Sequence, residues 1–131
     1  MREIKFRGFN RKNNEWLYGF YLQNRGAHFV CPDEFADGKS WDDYEIDPDT
    51  LGQFTGLKDK NGVKIFECDV VRIYDGDYEE YSDQQVKFAH GVFGVDNWTK
   101  RILTTLSFFM SGCDSEYSVE VIDNIFDNKN F

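Results

Sequence analysis

No run of about 18 apolar residues occurs in the sequence, so it offers no transmembrane helix. The opening Met1-Arg2-Glu3-Ile4-Lys5 is charged and alternating and lacks the apolar stretch of a signal peptide. A cytoplasmic protein with no membrane partner is the expectation. Cysteine is scarce: Cys31, Cys68 and Cys113 are odd in number and widely spaced, so neither a disulfide framework nor paired metal-ligand motifs can be read from them. All three are expected to be reduced and structural. Histidine is scarcer still, with His28 and His90 alone. Positive charge is short as well, 15 Lys/Arg against 24 Asp/Glu for a net −9. Residues 1–25 hold six Lys/Arg and two Glu, a net +4, which leaves −13 on the other 106 residues. Such an acidic body repels phosphate backbones and argues against general nucleic-acid binding.

What is abundant is aromatic. The 131 residues include 13 Phe, 7 Tyr and 3 Trp, and 40% of the chain is apolar. Planar, bulky core material suits pleated sheet, and the length suits one self-supporting domain over 1–131. Glu3-Ile4-Lys5-Phe6-Arg7 alternates with period two and reads as a strand with Ile4 and Phe6 inward and Arg7 toward water. After turn chemistry at Arg11-Lys12-Asn13-Asn14, Glu15 to Leu22 forms the second arm of a hairpin, and Ala27 to Cys31 a third strand that Pro32 stops. The second arm is apolar on both faces, Trp16, Tyr18, Phe20 and Leu22 on one and Leu17 and Tyr21 on the other. Such a strand needs cover from more protein or from a partner.

Residues 32–49 hold eight acids and read as an irregular acidic loop, mobile or linking, between an N-terminal hairpin region at 1–31 and a core at 50–131. Within that core Asn61-Gly62 is a strong hairpin signal, because both residues tolerate positive φ. Lys64-Ile65-Phe66 returns from the turn, Glu67-Cys68-Asp69 bends sharply, and Val70 to Tyr74 is a β-branched strand. Asp75 to Asp83 reads as an acidic loop, residues 85–95 as a hairpin pivoting near Gly91, and Ser118 to Ile122 as a closing strand followed by a turn. The spacing of Ile102, Leu103, Leu106, Phe109 and Met110 predicts the only helix, over 99–108, although Thr104-Thr105 opposes it. The fold class is mainly β with at most one short helix.

Candidate chemistry is thin. His28 and Cys31 evoke a metal site or a nucleophile pair, but three positions apart on a strand they point to opposite faces. Asp75-x-Asp77-x-Glu79 opens like a calcium loop, then has Glu80 where glycine is needed and Val86 where the closing glutamate should stand. Lys58 to Gly62 lacks the glycine spacing of a phosphate loop. Glu67 and Asp69 could serve as acid and base, yet carboxylates at a bend more simply accept backbone N–H groups. Asn61, Gly62, Glu67 and Asp69 are therefore read as structural turn residues. No catalytic residue, cofactor or metal is expected. Trp16, Tyr18, Phe20 and Tyr21 are the candidate interface.

The opening Met1-Arg2-Glu3-Ile4-Lys5-Phe6-Arg7-Gly8, the Trp16-Leu17-Tyr18-Gly19 element, the block from Thr50 to Val71 and the closing Val119 to Phe126 together resemble the YopX family of phage and prophage proteins. The resemblance implies an SH3-like, partly open barrel with an N-terminal β-hairpin extension, a phage or prophage origin, self-assembly and no established biochemical role. Two departures from the family pattern are Cys68 and Asp123, each where glycine is more usual. The resulting expectation is a non-enzymatic accessory protein that acts through protein–protein contacts as a homo-oligomer, with a host or phage protein as a further partner. Alternatives are an acidic mimic of nucleic acid that inhibits a host enzyme, and weak single-stranded nucleic-acid binding by the small barrel.

Overall fold

The computed structural model describes residues 3–97, 102–109 and 117–126. The chain is mainly β, with eleven strands among the described residues and two single 3-10 turns, Trp41–Asp43 and Leu106–Phe109. It divides into two compact units, Met1–Phe54 and Thr55–Phe131.

In the first unit the sheet runs in the order β3 (Ala27–Cys31), β2 (Glu15–Asn24), β1 (Phe6–Asn10), β4 (Asp47–Lys58), all neighbours antiparallel. The β1–β4 register shifts between Arg7 and Phe9, where residues 48–51 bulge and accommodate Pro48. Thr50 replaces the lost ladder bond: its Oγ1 accepts from Phe9 N at 2.8 Å and donates to Asp47 O at 2.6 Å. Gly8 is required by volume, since a Cβ there would lie 2.5 to 2.8 Å from Ile46 side-chain carbons. The free edge of β3 is covered by the chain entering β4, through a Phe29–Glu45 bridge and bonds from Val30 N to Tyr44 O (3.1 Å) and Ile46 N to His28 O (2.9 Å). Phe9, Val30, Cys31, Tyr44, Ile46 and Phe54 are buried.

In the second unit the end of β4 continues beside β5 (Lys64–Phe66). Two three-stranded sheets follow, β11 (Tyr117–Asn124), β6 (Asp69–Asp75), β7 (Glu80–Gln85) and β10 (Ile102–Thr105), β9 (Val92–Asn97), β8 (Lys87–Ala89). Both sheets are open. Ile65, Val71, Ile73, Val86, Val95, Leu106 and Val119 form the core. Alternation along Val71, Ile73 and Val119 aims one face of β6 and β11 into it, which is the period-two pattern acting as expected. The hairpin near Gly91 is a two-residue turn with His90 and Gly91 both at positive φ (53° and 82°).

Four expectations are corrected. The helix over 99–108 is absent from its described part: Ile102–Thr105 is strand β10, and only a 3-10 turn follows at Leu106–Phe109. Pairing with β9 and the stiffness of Thr104-Thr105 outweigh the helical spacing of the apolar residues. Strand one lies later than its charge pattern suggests, so Ile4 is exposed while Arg7 is buried with its guanidinium 5.1 Å from the centre of the Trp16 ring. The acidic loop at 75–83 becomes the end of β6, a turn, and β7 from Glu80. Of the acidic segment 32–49, residues 32–40 are irregular as expected, while 41–49 are organised, with a 3-10 turn at Trp41–Asp43, Tyr44 and Ile46 buried as an apolar anchor, and Asp47 starting β4.

The bend between β5 and β6 places Cys68 at φ 72°, in the left-handed region that costs a residue with a Cβ roughly 1–2 kcal/mol. The backbone there is glycine-like although the residue is not. Asp123 takes no positive φ; it sits at a register shift in β11, opposite Val70. Cys68→Gly is expected to stabilise the second unit by about 0.5–1 kcal/mol after the added chain entropy of glycine, and Cys68→Val to destabilise it. Urea denaturation of both variants checks the opposite signs.

Candidate functional site

The four aromatic residues proposed as an interface do not share one environment. Trp16 is half-buried, edge-on to Phe9 at 5.3 Å. Tyr21 is half-buried, stacked on His28 at 5.9 Å and tilted against Phe6 at 5.8 Å, with its hydroxyl hydrogen-bonded to His28 Nδ1. Tyr18 and Phe20 remain 46% and 44% exposed. They line a surface groove of about 340 Å³ together with Glu3, Ile4, Lys5, Gly19, Pro32 and Asp33. Ile4, 59% exposed, is the contributor that sequence reasoning missed, because strict alternation from Phe6 placed it inside. Gly19 forms the groove floor by necessity: a Cβ there would meet the Cys31 carbonyl oxygen at 1.8 Å. β2 therefore passes close to the start of the segment leaving β3. Chemically the groove can bury aromatic and aliphatic surface, and its lining includes the charged Glu3, Lys5 and Asp33.

A second, polar cleft of about 610 Å³ lies around Asn10, Arg11, Lys12, Asp42, Glu45, Ile46, Asp47 and Pro48. Its two cations are paired within the unit. Arg11 pairs with Asp47, and Lys12 Nζ lies 3.0 Å from Asp42 Oδ2 and 2.9 Å from Asp43 Oδ1. Asn13 Nδ2 donates to Asp43 Oδ1 at 3.0 Å, and the buried Asn10 donates to the Asp42 and Glu45 carbonyls at 3.2 and 2.7 Å. Asp43 is held well below the usual carboxylate range, first by the Ser40 backbone N–H and then by Asn13 and Lys12. Asp42 is lowered by the Ser40 hydroxyl and Lys12, and Asp47 by Arg11. Lys12 is correspondingly raised by Asp43 and Asp42.

The turn residues of the second unit hold backbone together. Gly62 alone of the Asn61-Gly62 pair takes positive φ, and the turn is organised by Asp59, which the sequence reading passed over. The buried Asp59 accepts from Asn61 N and Val63 N at 2.8 and 2.9 Å through Oδ1 and from Val121 N at 2.9 Å through Oδ2, tying the hairpin to β11. Asp69, also buried, accepts from Phe66 N at 2.8 Å across the Cys68 bend, while Glu67 is half-buried on that bend. The two carboxylates thus serve different surroundings. His28 is occupied with Tyr21, and Cys31 is fully buried, its thiol pushed up by desolvation. Asp77 N donates to Asp75 Oδ1 at 3.0 Å, so these acids fix their own turn. Among the described residues no group of three or more His, Cys, Asp or Glu could hold a metal ion, and no helix is long and apolar enough to cross a membrane.

Two outcomes follow from this chemistry. Asp59→Ala strips three backbone N–H groups of their acceptor and is expected to cost about 3 kcal/mol or more, read by chemical denaturation. The lowered carboxylates of Asp42, Asp43 and Asp47 give stability that is fully present above their unfolded value of about 3.9 and is lost as pH falls through the lower folded values. Melting of the first unit is therefore expected to be flat from pH 7 to about 5 and to fall below about 4. Asp43→Asn should reduce that acid sensitivity.

Comparison with known proteins places this geometry in a family. A crystal structure of protein EF1440 from Enterococcus faecalis is similar, with a TM-score of 0.60 and 26% sequence identity over 98% of this chain and 96% of that one. No curated protein matches. The YopX protein family model matches residues 5–131, and the chain belongs to that family.

Proposed function

We propose that the protein is a non-enzymatic accessory protein of a phage or prophage that acts through protein–protein contact, with the groove of Ile4, Tyr18 and Phe20 as its contact face and a second copy of the chain as the occupant. The observation that carries this reading is the exposure of two neighbouring aromatic side chains on a strand whose backbone is already paired on both sides. Aromatic residues left in water on a rigid sheet are the usual anchors of interfaces, since they bury large area at low entropic cost. The rim suits self-association: a two-fold contact can bring Lys5 of each copy against Glu3 or Asp33 of the other.

The alternatives have less behind them. An acidic mimic of nucleic acid needs carboxylates presented in an array, whereas Asp42, Asp43 and Asp47 are turned to Lys12, Asn13 and Arg11 of their own unit. Single-stranded nucleic-acid binding would draw on exposed Tyr74 and Tyr81 with Arg72. That guanidinium stacks on Tyr81 at 4.3 Å but is bonded to Asp83 at 2.9 and 3.1 Å, which cancels its charge toward phosphate.

Light scattering across a concentration series tests the proposal. The wild type is expected to exceed monomer mass at tens of micromolar, and the Tyr18→Ser/Phe20→Ser double variant to weaken assembly about tenfold or more while keeping its circular dichroism spectrum. A strictly monomeric wild type, or a folded double variant that assembles normally, overturns it.

A further inference from the structure

Asn61 is the one asparagine of the sequence followed by glycine, and it stands exposed at the tip of the hairpin that joins β4 to β5. The pair is chemically reactive as well as turn-forming. An asparagine carboxamide is open to attack by the next backbone nitrogen, and glycine, with no Cβ, leaves that approach unhindered. Here the attacking nitrogen is occupied: Gly62 N donates to Asp59 O at 3.0 Å. Around it the Asp59 carboxylate holds Asn61 N at 2.8 Å and Val63 N at 2.9 Å, while Asp59 N donates to Val63 O at 2.8 Å. Two further bonds, Val121 N to Asp59 Oδ2 (2.9 Å) and Lys60 N to Val119 O (3.0 Å), fasten the tip to β11. The reactive pair is therefore open to water at the side chain and closed by hydrogen bonds at the backbone.

We propose that Asn61 is a site of spontaneous deamidation, gated by opening of the turn that Asp59 clamps, and that its isoaspartyl product undoes the clamp. In the reaction Gly62 N bonds to Asn61 Cγ and the Cγ–Nδ2 bond breaks; Nδ2 leaves as ammonia with the proton from Gly62 N. Water, the only co-reactant, then opens the cyclic imide at either carbonyl. One opening gives aspartate on the ordinary backbone; the other gives isoaspartate, whose main chain runs through Cβ and Cγ and is one atom longer. The first step requires Gly62 N to shed its proton and its peptide plane to turn toward the side chain. The bond to Asp59 O opposes both, so the chemistry proceeds from the opened turn. Isoaspartate lengthens the chain inside the span that Asp59 bridges to Val63, and the bonds of Asp59 to Asn61 N, Gly62 N and Val63 cannot all re-form. Since one carboxylate serves both the turn and Val121, the tie to β11 loosens with them.

Peptide mapping by mass spectrometry at neutral pH tests the gate, comparing the full native chain, the same chain unfolded in urea and a synthetic peptide of residues 60–63. Conversion at residue 61 is expected in all three, about tenfold or more slower in the native chain than in the other two. Asp59→Asn, which keeps one acceptor oxygen and removes the other, is expected to speed the native rate several-fold. A native rate equal to the peptide's, or product confined to the unfolded chain, overturns the proposal. Amide hydrogen exchange tests the consequence on the purified isoaspartyl form, with freshly made Asn61→Asp as the control of equal charge and ordinary backbone. Exchange at Val63 and Val121 is expected to quicken about 3- to 10-fold in the isoaspartyl form and to stay as in wild type in Asn61→Asp. Unchanged protection of Val121 in the isoaspartyl form, or an equal loss in Asn61→Asp, overturns the undoing of the clamp, and the mapping result still decides the gate.

Discussion

Four bends and turns among the described residues depend on finding an acceptor for backbone N–H groups that no strand can satisfy. Side chains supply it. Asp59 serves three amides, Asp69 one across the tightest bend, Thr50 one across the bulge of β4, and Asn10 organises a turn by accepting from Asn13 N while donating to two carbonyls. A small, mainly β chain cannot avoid such groups, and a buried unsatisfied one costs on the order of 1–3 kcal/mol. These four side chains are buried for that reason, and several apparent functional carboxylates are accounted for by the same requirement.

Much of this was legible before the structure, and the failures share a cause. Strands with period-two alternation, β6 and β11 above all, fell where Val71, Ile73 and Val119 put them. The Asn61-Gly62 turn and the Gly91 pivot were readable from glycine, although the residue that organises the first of these is Asp59. What misled was reading charge as exposure. Arg7 is buried because Trp16 offers it a ring face, and the acids of 42–47 are ordered because a lysine, an arginine and two asparagines thirty-odd positions earlier reach them. Partners that distant in the chain leave no local pattern. The helical spacing at 102–109 misled for the converse reason, since pairing with β9 is a long-range choice that local periodicity does not record.

The candidate site was half legible. Apolar residues on both faces of β2 signalled that something covers it, and the structure divides that cover: Trp16 and Tyr21 turn to their own unit while Tyr18 and Phe20 face outward. The groove they line also takes in Pro32 and Asp33, residues that follow β3. Belonging to the YopX family sets the fold in context without naming a chemistry.

Gly8 and Ile46 share a single volume, the missing side chain of one being filled by the branched side chain of the other. A bulkier residue at position 8 therefore fits only beside a smaller one at position 46.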